Sequence, residues 1–502
     1  MGVVKKQGVS NSILIMLGAV IGAVNVMVLF PKIISEEYFG LTRVIVELSY
    51  IAAQFGLIGG HAAIVKFWSV YVKPIVLVKF ISSYVFLATL LTFLLLVLFK
   101  VNIQSFYLEK SMLFSSNYNY IFIIFIVGVF FEFLTSISIS LLKSYYSILL
   151  KDVIMRAYVS LIIIGYYFEF YSQDDFIFLF VLGYVFIAIA LAIVLFIYEK
   201  QFFVKTREEV AKTNKLEVLK FSTVNFFTSF SSGIVNRLDL LMIAALISVQ
   251  NGFENGFQAA AVYTLALYTA TILEIPSRGL FSISQPLIAK YWNDDDRASL
   301  INIYKKSAIN LSIVSVLMFA LLWVNIDDLL SFLGHGYQSA KSVILILSIS
   351  KLFNMALGVN NIIISTSSYY RVGSYIMFSL IFITFSLNYL LIPSYGIIGA
   401  AVGSFFSLVF YNLASFLFLY YKYKFQPFTL KTIYVYCFGL TSYWLAYYIE
   451  TDYSLITIAA KGTVVIVCYL PLIYFFKLSE DYNSTIDNLI VKYLKSNHKK
   501  SV

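Results

Sequence analysis

The sequence predicts an all-α polytopic membrane protein, and three observations carry that expectation. About fourteen apolar stretches, each of roughly twenty residues, fill most of the 502-residue chain, and a helix needs about twenty apolar residues to cross a bilayer core. Hydrophobic residues make up 60% of the chain and charged residues only 12%, about half the charged share of a soluble domain. A few cations nevertheless lie inside the apolar stretches, where each costs at least about 2.5 kcal/mol. A chain that keeps them uses them on something anionic.

The expected spans are residues 9–30, 44–66, 76–98, 119–141, 153–170, 176–198, 221–247, 258–283, 306–327, 341–366, 372–392, 397–420, 431–449 and 454–476. The first run is long enough to span and lacks a small-residue cleavage site, so it reads as a helix and not as a signal peptide. Span 2 closes on Lys66-Phe67-Trp68 and span 8 on Lys290-Tyr291-Trp292. This weak likeness between two six-span halves suggests parallel repeats and a two-lobed transporter with a midplane site. Residues 199–220 are rich in Glu and Lys and carry Phe202, Phe203, Val210, Leu216 and Leu219, which predicts an amphipathic helix on the cytoplasmic surface. Pro276 should kink span 8. Cys437 and Cys468 both fall in apolar spans and form neither a disulfide framework nor a zinc pattern. The expected organisation is an N-lobe over 1–198, a linker over 199–220, a C-lobe over 221–420, and spans 13–14 with a basic tail over 421–502.

The placement of charge sets the expected orientation. With the N-terminus in the cytoplasm, roughly 25 of the 36 Lys and Arg fall in cytoplasmic loops, ends or tails. Lys200, Lys220, Lys290, Lys306, Lys422, Lys431, Lys492 and Lys500 mark those segments, whereas Asp174, Asp175, Asp327, Asp328, Glu450 and Asp452 mark the external connections. Both termini are then cytoplasmic, and the net charge of +10 calls for no nucleic acid. External loops are short, the longest over residues 99–118, and hold no acid/base constellation. The chain is not expected to be an enzyme.

The stretch Asn236-Arg237-Leu238-Asp239-Leu240-Leu241-Met242-Ile243, followed by Tyr263 and Pro286-Leu287-Ile288-Ala289, resembles spans 7 and 8 of the bacterial polysaccharide (O-antigen) flippases. Glu37-Tyr38-Phe39-Gly40-Leu41 before span 2 and Tyr395-Gly396-Ile397-Ile398-Gly399-Ala400-Ala401 before span 12 are similar to the same family. Its wider superfamily includes multidrug-and-toxin exporters and the peptidoglycan lipid II flippase. The resemblance implies two six-helix lobes around a central cavity lined mainly by spans 1, 2, 7 and 8. The implied function is moving an undecaprenyl-diphosphate-linked oligosaccharide from the inner to the outer leaflet of the bacterial cytoplasmic membrane. Implied partners are that glycan lipid, membrane lipids, a polysaccharide polymerase and a chain-length regulator. Two extra spans resemble the lipid II flippase, in which such helices form a groove for the lipid tail. A lipid II flippase and a cation-coupled multidrug exporter stay open as alternatives.

Five cations are candidates for the diphosphate. Arg43 lies at the outer end of span 2, Arg237 about two thirds of the way out along span 7, and Lys351 near the middle of span 10. Arg278 lies in the inner third of span 8 and Lys66 at the inner end of span 2. Arg offers a planar fork that fits phosphate, and Lys a point charge. The competing expectation is self-neutralisation: Arg43 with Glu47 and Glu274 with Arg278 are four apart on one helix face, as are Asp152 and Arg156. Arg237 and Asp239 are two apart and point to different faces. Lys351 has no acid in its span and is expected to face the cavity, and Glu132 can pair with it across the lobes if the fold brings them together.

No cofactor is expected. Without a Gly-x-x-x-x-Gly-Lys-Ser/Thr loop, uphill transport has to draw on an H+ or Na+ gradient or the membrane potential. Asp239, Glu132 and Glu274 are the candidate ion-coupling acids, since burial raises a carboxylate's pKa toward neutrality. Structural pairing competes with that role at each. His61, His335 and His498 form no metal set. Aromatic residues, at 18%, serve interfacial belts and can stack on sugar rings.

Overall fold

A computed structural model describes residues 2–68, 74–108, 112–198, 215–247, 256–333, 335–451 and 454–498. Among them there is no strand. Lipid offers backbone N–H and C=O groups no partner, so a spanning segment must satisfy them within itself, and the helix does so. Eight helices are long and apolar enough to cross a membrane, or up to eleven when each bent pair counts as one span. The chain is a multi-pass membrane protein with an all-α fold. Large apolar side chains are exposed along such helices: Phe86, Leu90, Leu94 and Leu98 mark one flank of a single helix.

Contacts divide the chain into two compact units, Met1–Leu265 with Asn388–Ala400 and Ala266–Leu387 with Ala401–Val502. The first begins with α1 (Gly2–Val24), a π-helical turn (Asn25–Leu29) and α2 (Phe30–Ile33). Next come α3 (Glu36–Leu57), α4 (Gly60–Phe67), α5 (Pro74–Leu98), α6 (Lys100–Leu108), α7 (Met112–Asn117) and α8 (Asn119–Ser140). The unit continues through α9 (Ser144–Ile148), a second π-helical stretch (Leu149–Ile154), α10 (Met155–Tyr167), α11 (Gln173–Tyr198) and α12 (Lys215–Leu246). Most of the expected linker, residues 199–214, lies outside the described residues, and its last part forms the opening turns of α12.

Apolar burial drives little helix association in lipid, so close packing and interhelical hydrogen bonds hold such bundles. Unit 1 shows both. Asn25 Nδ2 donates to the Arg156 carbonyl at 2.8 Å, and Ser49 Oγ to that of Ile121 at 3.2 Å. Phe30 stacks on Phe39 at 4.5 Å between centroids, with Phe176 edge-on at 6.1 Å. Glu36 and Glu37 occupy the first turn of α3, where the helix dipole favours anions. The helix ends on Ile58 (φ 43°) and Gly59 (φ 72°), and α4 leaves at 52°. A Cβ on Gly59 would lie 2.0 Å from the Ser222 carbonyl oxygen, so only glycine allows both the left-handed turn and the approach of α12.

α13 (Gly256–Thr271) leads into the second unit. A 3-10 turn (Ile272–Glu274) and α14 (Ile275–Asn293) follow, with Pro276 in the first turn of α14. The expected kink is therefore a helix break just before the proline. Then come α15 (Arg297–Val324), α16 (Ile326–Ser331), α17 (Ala340–Ala356) and α18 (Asn360–Thr366). The unit closes with α19 (Tyr370–Tyr423), apart from its residues Asn388–Ala400, which belong to the first unit, and with α20 (Leu430–Tyr447), α21 (Ser454–Phe475) and α22 (Glu480–His498). Asp296 caps α15 by accepting the Ser299 N–H at 3.0 Å, and the hydrogen bonds from Ser299 hold its carboxyl below the usual range. The 54-residue α19 breaks at Gly396 (φ 58°, ψ −137°), a backbone state open essentially to glycine alone. It is thus two helices of roughly 26 residues, each about 39 Å long, and the break falls in the gap expected between spans 11 and 12.

The core of unit 2 centres on Tyr469, fully buried among Val316, Val435 and Ile473, its hydroxyl donating to the Ile313 carbonyl at 3.0 Å. Cys437 and Cys468 are free thiols. The expected basic tail is helical as far as His498.

Candidate functional site

Arg237 sits where α12 bends by 54°, between residues 235 and 237. Its Nε lies 2.5 Å from Glu47 Oε2 on α3, and its Nη1 donates to the Gly233 carbonyl at 2.6 Å. The guanidinium carbon stands 3.7 Å from the centre of the Tyr50 ring. Tyr50 and Glu47 are three apart on α3, so one helix face supplies both a carboxylate and an aromatic platform. The Arg237 side chain stays 20% exposed and that of Glu47 24%. A guanidinium has five N–H donors, and these contacts leave some of them for an incoming acceptor.

Glu47 was expected to neutralise Arg43 one turn away, and it does not. Arg43 lies over the rings of Phe30 and Phe39, at 5.6 and 5.4 Å. Lys66 is exposed, with Nζ 4.0 Å from the Phe221 ring centre. Glu132, the candidate partner of Lys351, instead binds Lys151 Nζ at 2.5 Å. Sequence reasoning passed over Lys151, which the π-helical stretch before α10 presents to α8. Asp152 and Arg156 pair at 3.2 Å as their spacing allows, and Arg156 also donates to the Gly18 carbonyl.

Asp239 is buried, 7% exposed. It accepts the Tyr263 hydroxyl at 2.6 Å and Asn388 Nδ2 at 2.7 Å. Asn388 is fully buried, and its Oδ1 has no hydrogen-bond partner among the described residues. The sequence singled out Asp239 but not Asn388; an amide inside the apolar run 372–392 was the signal available.

In unit 2, Lys351 pairs with Glu274 at 3.0 Å, and Asn354 Nδ2 binds the other Glu274 oxygen at 3.0 Å. The side chains are 17% and 19% exposed. This corrects two expectations: Lys351 does not await Glu132, and Glu274 does not neutralise Arg278. The reason is geometric. Glu274 ends the 3-10 turn, out of the regular register that would set it over Arg278. Arg278 is exposed, with no carboxylate partner among the described residues.

No family model matches the sequence, and no curated protein does. Among solved structures the chain is similar to the lipid II flippase MurJ in an inward closed conformation. The TM-score is 0.68 at 16% identity, over 95% of this chain and 99% of that one. It is also similar to an inward-facing multidrug resistance MATE family transporter of the MOP superfamily. There the TM-score is 0.57 at 14% identity, over 86% of this chain and 94% of that one. At these identities the likeness is one of fold: the chain has the fold that these flippase and transporter structures share.

Proposed function

We propose that the protein is a flippase that carries an undecaprenyl-diphosphate-linked oligosaccharide, an O-antigen, capsule or exopolysaccharide repeat unit, across the cytoplasmic membrane by alternating access. The observation that carries this reading is Arg237, a guanidinium held within an apolar helix by Glu47, Tyr50 and the Gly233 carbonyl, with donors to spare. A diphosphate brings about two negative charges and many acceptor oxygens, and a pre-oriented fork meets them with little further ordering. Arg278, exposed and with no carboxylate partner among the described residues, supplies a second such group. Lys351, Arg43 and Lys66 shape the field that the headgroup crosses. The likeness in fold to a lipid II flippase supports a lipid-linked cargo. An apolar groove of about 600 Å3 in unit 1, walled by α3, α5, α6 and α8, suits the hydrocarbon tail.

Asp239 is the coupling acid of this reading, and the coupling cation, H+ or Na+, is a transported substrate. Cation binding neutralises the buried Asp239 carboxylate, which accepts from Tyr263 and Asn388, and so favours one conformation over the other. Both termini face the cytoplasm, which keeps the basic connections inside. The test is surface polysaccharide in the native host with Arg237→Ala and Asp239→Asn at equal protein level. Both are expected to abolish most export, and undiminished export removes the residues from the mechanism. The second reading, a cation-coupled multidrug exporter, is favoured by Asp239 and by the MATE-like fold; it predicts drug resistance on expression. Rescue of a lipid II flippase depletion would instead make lipid II the cargo.

A further inference from the structure

A second site lies within unit 2, at the opposite end of α17 from Lys351. α15 starts at a basic end, where Lys306 reaches Glu480 at 3.0 Å, and runs 28 residues to Val324. Beyond Val324 is a cavity of about 640 Å3, enclosed by the end of α15, α16, the start of α17, the end of α20 and the start of α21. That volume falls inside the range of about 300–1,000 Å3 typical of small-molecule sites.

The walls of the cavity are of two kinds. Tyr443 and Tyr447, one turn apart on α20, stand 5.7 Å apart between centroids, and Tyr448 crosses Tyr447 edge-on at 5.3 Å. Trp323 lies opposite, stacked on Phe319. Tyr447 is 49% exposed and Tyr448 74% exposed, and both line the cavity. Between the aromatics sit fixed charges. Lys461, inside the apolar run of α21 and only 12% exposed, reaches Asp328 at 3.2 Å. Lys341 pairs with Asp327, and Glu450 lies at the mouth.

A lysine within an apolar helix and a carboxylate drawn in to meet it are costly as scaffolding, since two apolar side chains would pack there instead. Three carboxylates, Asp327, Asp328 and Glu450, meet two ammonium groups, Lys341 and Lys461. The cavity therefore carries an excess negative charge, which repels a diphosphate. A metal ion does not fit either: no group of three or more His, Cys, Asp or Glu among the described residues is placed to hold one. Oriented carboxylates that accept paired hydroxyls, lysines that donate to ring and hydroxyl oxygens, and aromatic side chains lining the cavity together describe a surface for a sugar.

We infer that this cavity binds the glycan portion of the cargo, as a neutral or amino-bearing saccharide, on the acidic face away from Lys306. The assignment rests on the flippase reading only for the source of the sugar. The diphosphate and the glycan are then recognised by different parts of the chain, one by Arg237 and the other by this cavity.

The test uses the purified full-length chain in lipid nanodiscs. Trp68, Trp292 and Trp444 are replaced by Phe, so that emission reports on Trp323 alone, and calorimetry on the unmodified chain serves as the independent measurement. The probes are glucose, galactose, N-acetylglucosamine, rhamnose, cellobiose and inorganic pyrophosphate. At least one sugar is expected to bind saturably in the millimolar range, with about tenfold weakening in Tyr447→Ala and in Glu450→Gln. Both residues are exposed, so neither change threatens folding. Arg237→Ala is expected to leave sugar binding intact while it lowers export. No saturable sugar binding by either method, binding that survives both substitutions, or competition by pyrophosphate overturns the assignment. Failure of sugar binding with export still dependent on Arg237 removes this site and leaves the flippase reading standing. Sugar binding with export independent of Arg237 does the reverse.

Discussion

The pairs Arg237–Glu47 and Lys351–Glu274 look alike on paper and differ in kind. Each sets a cation and a carboxylate from different helical segments together inside apolar helices, at nearly equal exposure. Lys351 brings a point charge to a carboxylate whose second oxygen is already taken by Asn354. Both Glu274 oxygens are thus engaged, and the pair braces the break between α13 and α14. Arg237 is held on three sides by Glu47, Gly233 and the Tyr50 ring and keeps N–H groups in hand. The comparison teaches that the shape of the cation matters: a point charge on a carboxylate engaged at both oxygens reads as structure, and a fixed fork with donors to spare reads as a receptor.

The sharpest way to break that contrast is at Arg237. Arg237→Ala is expected to lower export about a hundredfold, ~2.7 kcal/mol, in line with truncating a desolvated charged donor. Arg237→Lys keeps the charge and loses the fork, and should recover less than about a tenth of the activity. Surface polysaccharide at equal protein level reads both. Full activity in the Lys variant makes Arg237 a point charge like Lys351 and erases the distinction.

Next in size is the Lys351–Glu274 pair, read as stability. Lys351→Met strands Glu274. Breaking a fully buried pair costs about 3–5 kcal/mol, and the residual exposure here brings the expected loss to about 2 kcal/mol. In Lys351→Met/Glu274→Gln the amide can still accept from Asn354, and at least half of that loss should return. Thermal unfolding of the purified singles and the double closes the cycle. Additive losses would mean that the two groups do not interact.

Gly59→Ala tests the hinge of unit 1 in the same assay. The backbone at φ 72° and a Cβ 2.0 Å from the Ser222 oxygen predict a loss of about 1–3 kcal/mol. An unchanged unfolding temperature would mean that α4 and α12 part easily there.

These residues also show how far the sequence is legible. Apolar runs announce their helices because lipid leaves the backbone no other solution, and each of the fourteen expected stretches has a helix over it. Pairing is less legible. Of the three i, i+4 pairs considered from the sequence, Arg43 with Glu47, Glu274 with Arg278 and Asp152 with Arg156, only Asp152–Arg156 forms an ion pair. A local pair on one helix is worth about 0.2–0.5 kcal/mol, which a neighbouring helix easily outbids when it brings a charge into a drier place. Arg237 outbid Arg43 for Glu47, and Lys351 outbid Arg278 for Glu274. Neither outcome is visible along the chain, because each depends on a bend: one beside Asn236, the other at residues 272–274. Lys461 escaped notice for a related reason, since its partner Asp328 lies 133 residues away.

Arg278 gives the smallest expected effect and the cleanest reading. It is exposed and has no carboxylate among the described residues, so nothing in the fold depends on its charge. Arg278→Gln should leave the unfolding temperature unchanged, within about 0.5 kcal/mol in stability. If Arg278 meets the diphosphate as Arg237 does, export should still fall, by about tenfold, because one charge-assisted contact is lost. The two readouts therefore separate at this position, whereas at Lys351 they move together. Loss of export without loss of stability extends the receptor reading to a second residue. Normal export with normal stability confines phosphate recognition to Arg237 and makes Arg278 a solvated surface charge.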